Sequence, residues 1–177
     1  AQTIATDIRT ELNNAYRQLR ELLTTFRLSI ETDELGNTIK QAIEDFSQRE
    51  PVKINHDIRL SDCRINPHEA IHLVYILREA LTNIHKHANA SNVWVEVRCA
   101  PSKIITLSIQ DDGIGIDKNA LRKGHFGLSI MQERTTALNG TYNIANRNGG
   151  GTRIEINFTP VEHHEPTGDI TSWINQT

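Results

Sequence analysis

The stretch from Asn66 to Ala88, NPHEAIHLVYILREALTNIHKHA, decides the fold. Asn66 suits an N-cap, Pro67 fits the first helical turn, and Glu69 completes a capping box three residues on. At 100° per residue, Ala70, Leu73, Val74, Leu77, Leu81, Ile84 and Ala88 fall on one narrow stripe, which predicts an amphipathic helix running to about Ala88. Glu79, Asn83 and Lys86 share the opposite face, at spacings of four and three that bring them within reach of one ligand. A carboxylate, an amide oxygen and an ammonium suit a magnesium–polyphosphate: oxygen for the metal, charge for the phosphates, and a base. Taken alone, such a row is also what an ordinary solvated helix face looks like.

Working outward towards the N-terminus, Val52, Ile54, Ile58 and Leu60 sit on alternate positions, as in a half-buried strand. Thr32 and Asp33 are capping residues ahead of a second helical stripe, Leu35, Ile39, Ala42, Ile43 and Phe46, which ends before Pro51. Further back, Ile8, Leu12, Ala15, Leu19, Leu22 and Phe26 follow each other at steps of four and three. That is a heptad seam, and it needs a partner helix. No second heptad run is present, so the partner is either missing or in another chain. The sequence opens inside this helical pattern, and any membrane anchor is expected upstream of it. The longest mostly apolar stretch, Ala70 to Leu77, is far too short to span a bilayer.

Towards the C-terminus, Asn92–Cys99 and Ile104–Gln110 alternate and read as two strands joined by a short turn. A glycine-rich polar stretch follows from Asp111 to Gly127, then a helix over Leu128–Leu138 that stops at Asn139-Gly140. Thr141–Asn146 and Thr152–Phe158 read as a hairpin around Asn148 to Gly151. Beyond Pro160 the tail is polar and aperiodic, and is expected to be loose.

Composition narrows the function classes. The 177 residues are 37% hydrophobic and 23% charged, as in an ordinary globular chain. A net charge of −3 argues against a general nucleic-acid binder, so no nucleic-acid partner is expected. The only cysteines, Cys63 and Cys99, lack CxxC spacing; one disulfide is an option, and two reduced thiols is the simpler reading. His68 and His72, or His72 with Glu79, could be drawn as metal ligands, but no HExxH or Cys/His signature supports them, and surface histidines are the simpler reading. Trp94 reads as a strand packing residue.

Three glycine elements join the first helix as candidates for chemistry. Asp111-Asp112-Gly113-Ile114-Gly115 follows a strand directly, so its glycines permit a sharp reversal and Asp111 can accept a hydrogen bond from an exocyclic amine. Gly124-His125-Phe126-Gly127-Leu128 precedes a helix, whose free amides attract phosphate. Gly149-Gly150-Gly151-Thr152 is weak by itself. Gly113-Ile114-Gly115 lacks the third glycine of a Rossmann fingerprint, and no glycine stands in P-loop register.

The ordered set is what carries weight. Arg78 to Ala88 resembles the N box of histidine kinases, the Asp111 element their G1 box, Gly124 to Leu128 their G2 box, and Gly151-Thr152 their closing glycine–threonine element. Order and intervals are similar to the GHKL ATPase superfamily over roughly Ala15 to Phe158, and GHFGLSIMQER with the LRELLTTFRL segment resembles the subfamily containing nitrate/nitrite sensor kinases.

The resemblance implies an α+β fold: a two-layer α/β sandwich with a mixed, largely antiparallel sheet, preceded by a long helix. It implies residues 1–31 as the second helix of a truncated dimerisation and phosphoacceptor hairpin, 32–160 as the catalytic ATP-binding domain and 161–177 as a flexible tail. Its ligands would be ATP and Mg2+. Asn83 would hold magnesium, Glu79 would be the general base, and Lys86 with His87 would contact phosphates. Asp111 would bond the adenine amine, with Gly113 and Gly115 giving clearance beneath the base. Gly124, Gly127 and Leu128 would hinge a lid, and Thr152 would help fix the adenine end. No phenylalanine-bearing F box is evident. The implied partners are the hairpin of the same kinase in a homodimer and a response-regulator receiver domain; the implied setting is the cytoplasmic domain of an inner-membrane sensor. The family's His-Asp acceptor pair is matched only by His56-Asp57, which falls in a strand pattern and not on a helix, so the fragment is expected not to phosphorylate itself. An ATP-driven clamp of the gyrase, MutL or Hsp90 kind and a regulatory ATP-binding module are the alternatives.

Overall fold

A computed structural model describes residues 32–48, 52–61, 63–116 and 126–161. The expected heptad helix, the lid from 117 to 125 with Gly124, and the tail from 162 onward lie outside the described residues. The described elements are α1 (Thr32–Ser47), β1 (Lys53–Arg59), α2 (Pro67–Asn83) with a following π turn (Ile84–Ala88), β2 (Asn92–Cys99), β3 (Ile105–Asp111), α3 (Phe126–Ala137), β4 (Thr141–Asn146) and β5 (Thr152–Phe158). The five strands form one sheet in the order β1-β2-β3-β5-β4. Only β1 and β2 run parallel, joined by the α2 crossover that parallel neighbours need. The other three pairings are antiparallel.

Strand alternation divides the sheet into an apolar and a polar face. Register sets Val95 beside Ile109, Ile109 beside Ile154 and Ile154 beside Ile144, and the next row runs Val97, Leu107, Ile156, Tyr142. These side chains merge with Leu35, Ile39 and Ile43 of α1, Leu73, Leu77 and Leu81 of α2, and Met131 of α3 in one buried core. Burying each large apolar side chain stabilises by about 1.5–3 kcal/mol, which fixes the helices on this face. The opposite face carries Glu96, Arg98, Gln110, Arg153 and Glu155, none of them part of that core. The result is the two-layer, largely antiparallel α/β architecture expected from the sequence.

One expectation is corrected. Cys63 and Cys99 are joined by a disulfide with Cα atoms 5.9 Å apart, in place of two thiols. The reason is topological: β1 pairs in parallel with β2 up to Arg59 opposite Arg98, and the Cys63 N–H then donates to Leu60 O at 3.0 Å, which turns the chain back over the end of β2. Trp94 faces away from the apolar core, on the polar side of the sheet, where the Arg147 guanidinium lies 4.6 Å from its ring centroid. His56 is extended in β1, opposite Val95, and exposed.

Candidate functional site

The site begins with how α2 starts. The Glu69 N–H donates to Asn66 Oδ1 at 2.9 Å and the Asn66 N–H to Glu69 Oε2 at 3.0 Å, the reciprocal capping box expected from the sequence. Glu69 is 5% exposed, and its other oxygen accepts the Val161 N–H at 2.8 Å, so the chain leaving β5 is pinned to the same cap. With the helix phase set there, Ala70, Leu73, Val74, Leu77 and Leu81 are buried. Glu79 and Asn83 then look into a gap between α2, α3 and the end of the sheet.

The last turn departs from a regular α-helix. Ile84–Ala88 widens to a π turn, closed by Asn89 in the left-handed region at φ 50°. Such widened turns are often found at functional sites. Here both Lys86 and His87 border the same cavity as Glu79 and Asn83, while Ile84 and Ala88 remain buried.

Two adjacent acids at the end of β3 have different work. Asp112 accepts from the N–H groups of Ser91 and Asn92, both at 2.8 Å, and from Asn92 Nδ2 at 2.7 Å. The Asn92 side chain, followed by its backbone N–H, holds the Asp112 carboxyl below the usual carboxylate range. Asp112 is therefore a clasp between strands. Asp111 is 2% exposed and borders the cavity. Its Oδ1 accepts the Gly113 N–H at 2.8 Å, which leaves Oδ2 available to a ligand.

The following loop is held at both ends. The Ile114 N–H donates to Ala88 O at 2.8 Å, and a Cβ on Gly113 would fall 2.0 Å from that oxygen, so only glycine fits. Gly115 has φ +80°, and Ile116 exchanges hydrogen bonds of 2.7 and 3.0 Å with the Asn146 amide on β4. On the other wall, Gly127 in the first turn of α3 lies so close to α2 that a Cβ there would be 2.2 Å from Glu79 Oε1.

These elements enclose one cavity of about 560 Å³. Of the residues singled out from the sequence, Glu79, Asn83, Lys86, His87, Asp111, Gly115, Gly127, Leu128 and Thr152 border it. Gly113 stands behind it against Ala88, and Gly124 lies outside the described residues. The sequence reading missed the apolar lining: Ala80, Ile84, Ile114, Ile116, Ile144 and Ile154. Ile144 and Ile154 carried a signal in their strand alternation, but that pattern reads equally as plain core.

The lining mixes two chemistries. Asp111 and Thr152 come from the ends of β3 and β5, Glu79, Asn83, Lys86 and His87 from α2 and its π turn, and Ile84, Ile114, Ile116, Ile144 and Ile154 add apolar surface. Asn83 Nδ2 is buried with no hydrogen-bond partner. Tyr75 and Tyr142 also bury hydroxyls without a partner, but neither residue borders the cavity, whereas Asn83 does, so its amide is one that a ligand there would complete.

The histidines tested as metal ligands form a different contact. His68 and His72 bring their Nε2 atoms to 3.2 Å, and Arg134 Nη1 lies 3.4 Å from His72 Nδ1 while its guanidinium covers the Tyr75 ring at 4.5 Å. Burial, and then His68, push the His72 pKa down. This cluster ties α2 to α3 and does not border the cavity. Among the described residues no group of three or more histidine, cysteine or acidic side chains is poised for a metal.

Comparisons with known proteins show the family and the fold. The family described as histidine kinase-, DNA gyrase B-, and HSP90-like ATPase matches residues 68–163. The nitrate/nitrite sensor protein NarQ of Escherichia coli K12 is 41% identical over 93% of this chain and 29% of its own length. NarX of the same organism is 38% identical over 90% of this chain and 27% of its own. The chain thus spans less than a third of these relatives. Among solved structures, the histidine kinase domain of the blue-light activated kinase of Erythrobacter litoralis EL346 superposes with a TM-score of 0.63 at 20% identity, over 81% of this chain and 73% of that one. The ATP-binding domain of PrrB from Mycobacterium tuberculosis gives 0.59 at 18% identity, over 72% of this chain and 94% of that one.

Proposed function

On the premise that this chain belongs to the histidine kinase-, DNA gyrase B- and HSP90-like ATPase family, we propose that it is the ATP-binding catalytic domain of a two-component sensor histidine kinase. The parent enzyme would transfer the γ-phosphoryl of ATP to a histidine and then to a response-regulator aspartate. The observation that carries this reading is that Asn83 and Asp111, on separate elements, border one cavity that isoleucines also line.

ATP is the substrate the cavity suits. Asp111 Oδ2 would accept the exocyclic amine of adenine, with Thr152 beside it and the isoleucine walls against the faces of the base. At the other side Lys86 and His87 would meet the phosphates, joined by the N–H groups of the first turn of α3 at Gly127 and Leu128. Glu79 would accept a proton from the attacking imidazole; its carboxylate already lies at the cavity wall against Gly127. Magnesium fits this donor set, because Asn83 offers an amide oxygen to the ion and its orphaned Nδ2 to a phosphate. Asn83 would hold the ion, which when bound neutralises the charge on the terminal phosphates. The chain's own contribution is to position the reactants and keep charge where the transition state needs it.

The same reading makes residues 1–31 half of a dimerisation hairpin, and the acceptor histidine, the homodimer and the receiver domain its partners. It also makes the parent an inner-membrane sensor with this domain in the cytoplasm; the identities to NarQ and NarX support nitrate/nitrite signalling. Among the described residues no helix is long and apolar enough to cross a membrane. His56, extended in β1, is a poor acceptor, so the fragment is expected to bind Mg-ATP without labelling itself.

The test is calorimetry with magnesium and a non-hydrolysable ATP analogue on the wild type, Asn83→Ala and Asp111→Ala. Both variants are expected to weaken binding at least tenfold; unchanged affinity in both removes the site assignment. Incubation with a separately prepared acceptor hairpin then separates a kinase, which labels it, from a clamp or a regulatory module, which does not.

A further inference from the structure

We propose that Arg147, seated on Trp94, is a positioning residue for Asp111 and thereby sets the preference of the cavity for a purine bearing a 6-amino group. The inference rests on the functional reading above and adds to it a residue on the far side of the sheet. Arg147 does not border the cavity. It lies in the turn between β4 and β5, and its Nη1 donates to the backbone oxygen of Asp111 at 2.6 Å. Its guanidinium rests 4.6 Å from the Trp94 ring centroid on β2, and its own N–H donates to Gly151 O at 2.9 Å. One side chain therefore joins β2, the end of β3 and the hairpin turn.

The join comes where pairing to β5 gives out, on the side of Asp111 away from its β2 partner Val93. The β3–β5 register is last met at Gln110 opposite Arg153, one residue short of Asp111. Beyond that pair the Asp111 oxygen is bounded by Gly151, where a Cβ would lie 1.9 Å from it, and is bonded by Arg147. The backbone of Asp111 is thus held from outside while its carboxylate faces inward. A charged donor gives a shorter and stronger bond than an amide would, and an arginine stacked on tryptophan keeps its direction. Loss of this hold lets the carboxylate shift relative to a bound base, and a hydrogen bond to a charged group is sensitive to such shifts.

The experiment compares the affinities of ATP and of purine riboside triphosphate, which lacks the 6-amino group, on the wild type, Arg147→Gln, Arg147→Lys, Trp94→Leu and Asp111→Asn, with thermal unfolding as a check on folding. The wild type is expected to prefer ATP. Arg147→Gln should cut that preference about tenfold by weakening ATP alone, Trp94→Leu should do so in part, and Arg147→Lys should retain most of it. In an Asp111→Asn background Arg147→Gln should have no further effect on the preference, since a residue that acts through Asp111 has nothing left to act on. Equal weakening of both nucleotides by Arg147→Gln, or no change in either, overturns the proposal while the Asp111 preference stands. If Arg147→Gln unfolds the chain, a preference left intact in Trp94→Leu overturns it as well. A wild type without preference, or one whose preference survives Asp111→Asn, overturns both this proposal and the reading of the site beneath it.

Discussion

Replacing Gly127 with alanine should separate catalysis from folding. The new Cβ would stand 2.2 Å from Glu79 Oε1, 3.1 Å from Asn83 Nδ2 and 3.2 Å from Asn83 Oδ1. The two Asn83 contacts are tight but bearable with a small adjustment. The Glu79 contact is not, and relief needs the oxygen to retreat by about 1 Å to reach an ordinary carbon–oxygen separation. Glu79 is a flexible side chain, so retreat costs about 0.5–1.5 kcal/mol of rotamer strain. Exchanging glycine for alanine in a helix returns up to about 1 kcal/mol, less in a first turn. The two nearly cancel, and the melting temperature should stay within a few degrees of wild type. A catalytic group misplaced by about 1 Å can lose on the order of 100-fold in rate. Phosphotransfer to a separate acceptor hairpin should therefore fall about 100-fold, while calorimetric affinity for the ATP analogue changes by no more than about threefold. A variant that melts like wild type and transfers phosphate within twofold of it would show that the place of the Glu79 carboxylate does not matter, and the general-base role would go with it.

Gly113→Ala should behave in the opposite way: its Cβ would meet the backbone oxygen of Ala88 at 2.0 Å, and a backbone cannot swing aside. A loss of about 3 kcal/mol or more is expected in urea unfolding, and a loss under 1 kcal/mol would contradict the docking of this loop on the π turn. Reduction of the Cys63–Cys99 bridge, which closes a sequence separation of 36, should lower stability by up to about 4 kcal/mol in the chain-entropy account; identical urea midpoints with and without reductant would argue that no bridge forms. His72 has its pKa pushed down from an ordinary 6.5 by burial and by His68, so the unfolded chain takes up its proton first. Its contribution is whole above pH 6.5 and is lost as the pH falls from there towards the folded value. His72→Gln should flatten the fall in urea midpoint between pH 7.5 and about 5.5, and an unchanged slope would clear His72 of the effect.

How far the sequence reveals this molecule varies with the range of the interaction. The start of α2 was legible because a capping box is local: Asn66 and Glu69 need only each other. The strands were legible because alternation is local too. Sheet order was not, since nothing within β1 announces a parallel partner in β2, or in β3 an antiparallel neighbour in β5. Those pairings come from burying rows such as Val95, Ile109 and Ile154 together, a decision of the whole chain. The polar half of the cavity could be read because carboxylates and amides at helical spacing ask for an explanation. Its apolar half, Ile144 and Ile154 above all, was hidden because a buried isoleucine in a strand asks for none. The disulfide depends on the β1–β2 register, which two lone cysteines do not encode.

The carboxylate of Glu69 holds the first turn of α2 with one oxygen and the departing chain at Val161 with the other. Ten residues along that helix stands Glu79, about 15 Å away at 1.5 Å per residue. A fluorophore, affinity handle or surface tether attached at Val161 itself would therefore start from the end of α2 opposite the cavity. Immobilised in that orientation, the molecule would present its cavity mouth to solution, which suits it to surface-based measurement of ligand exchange.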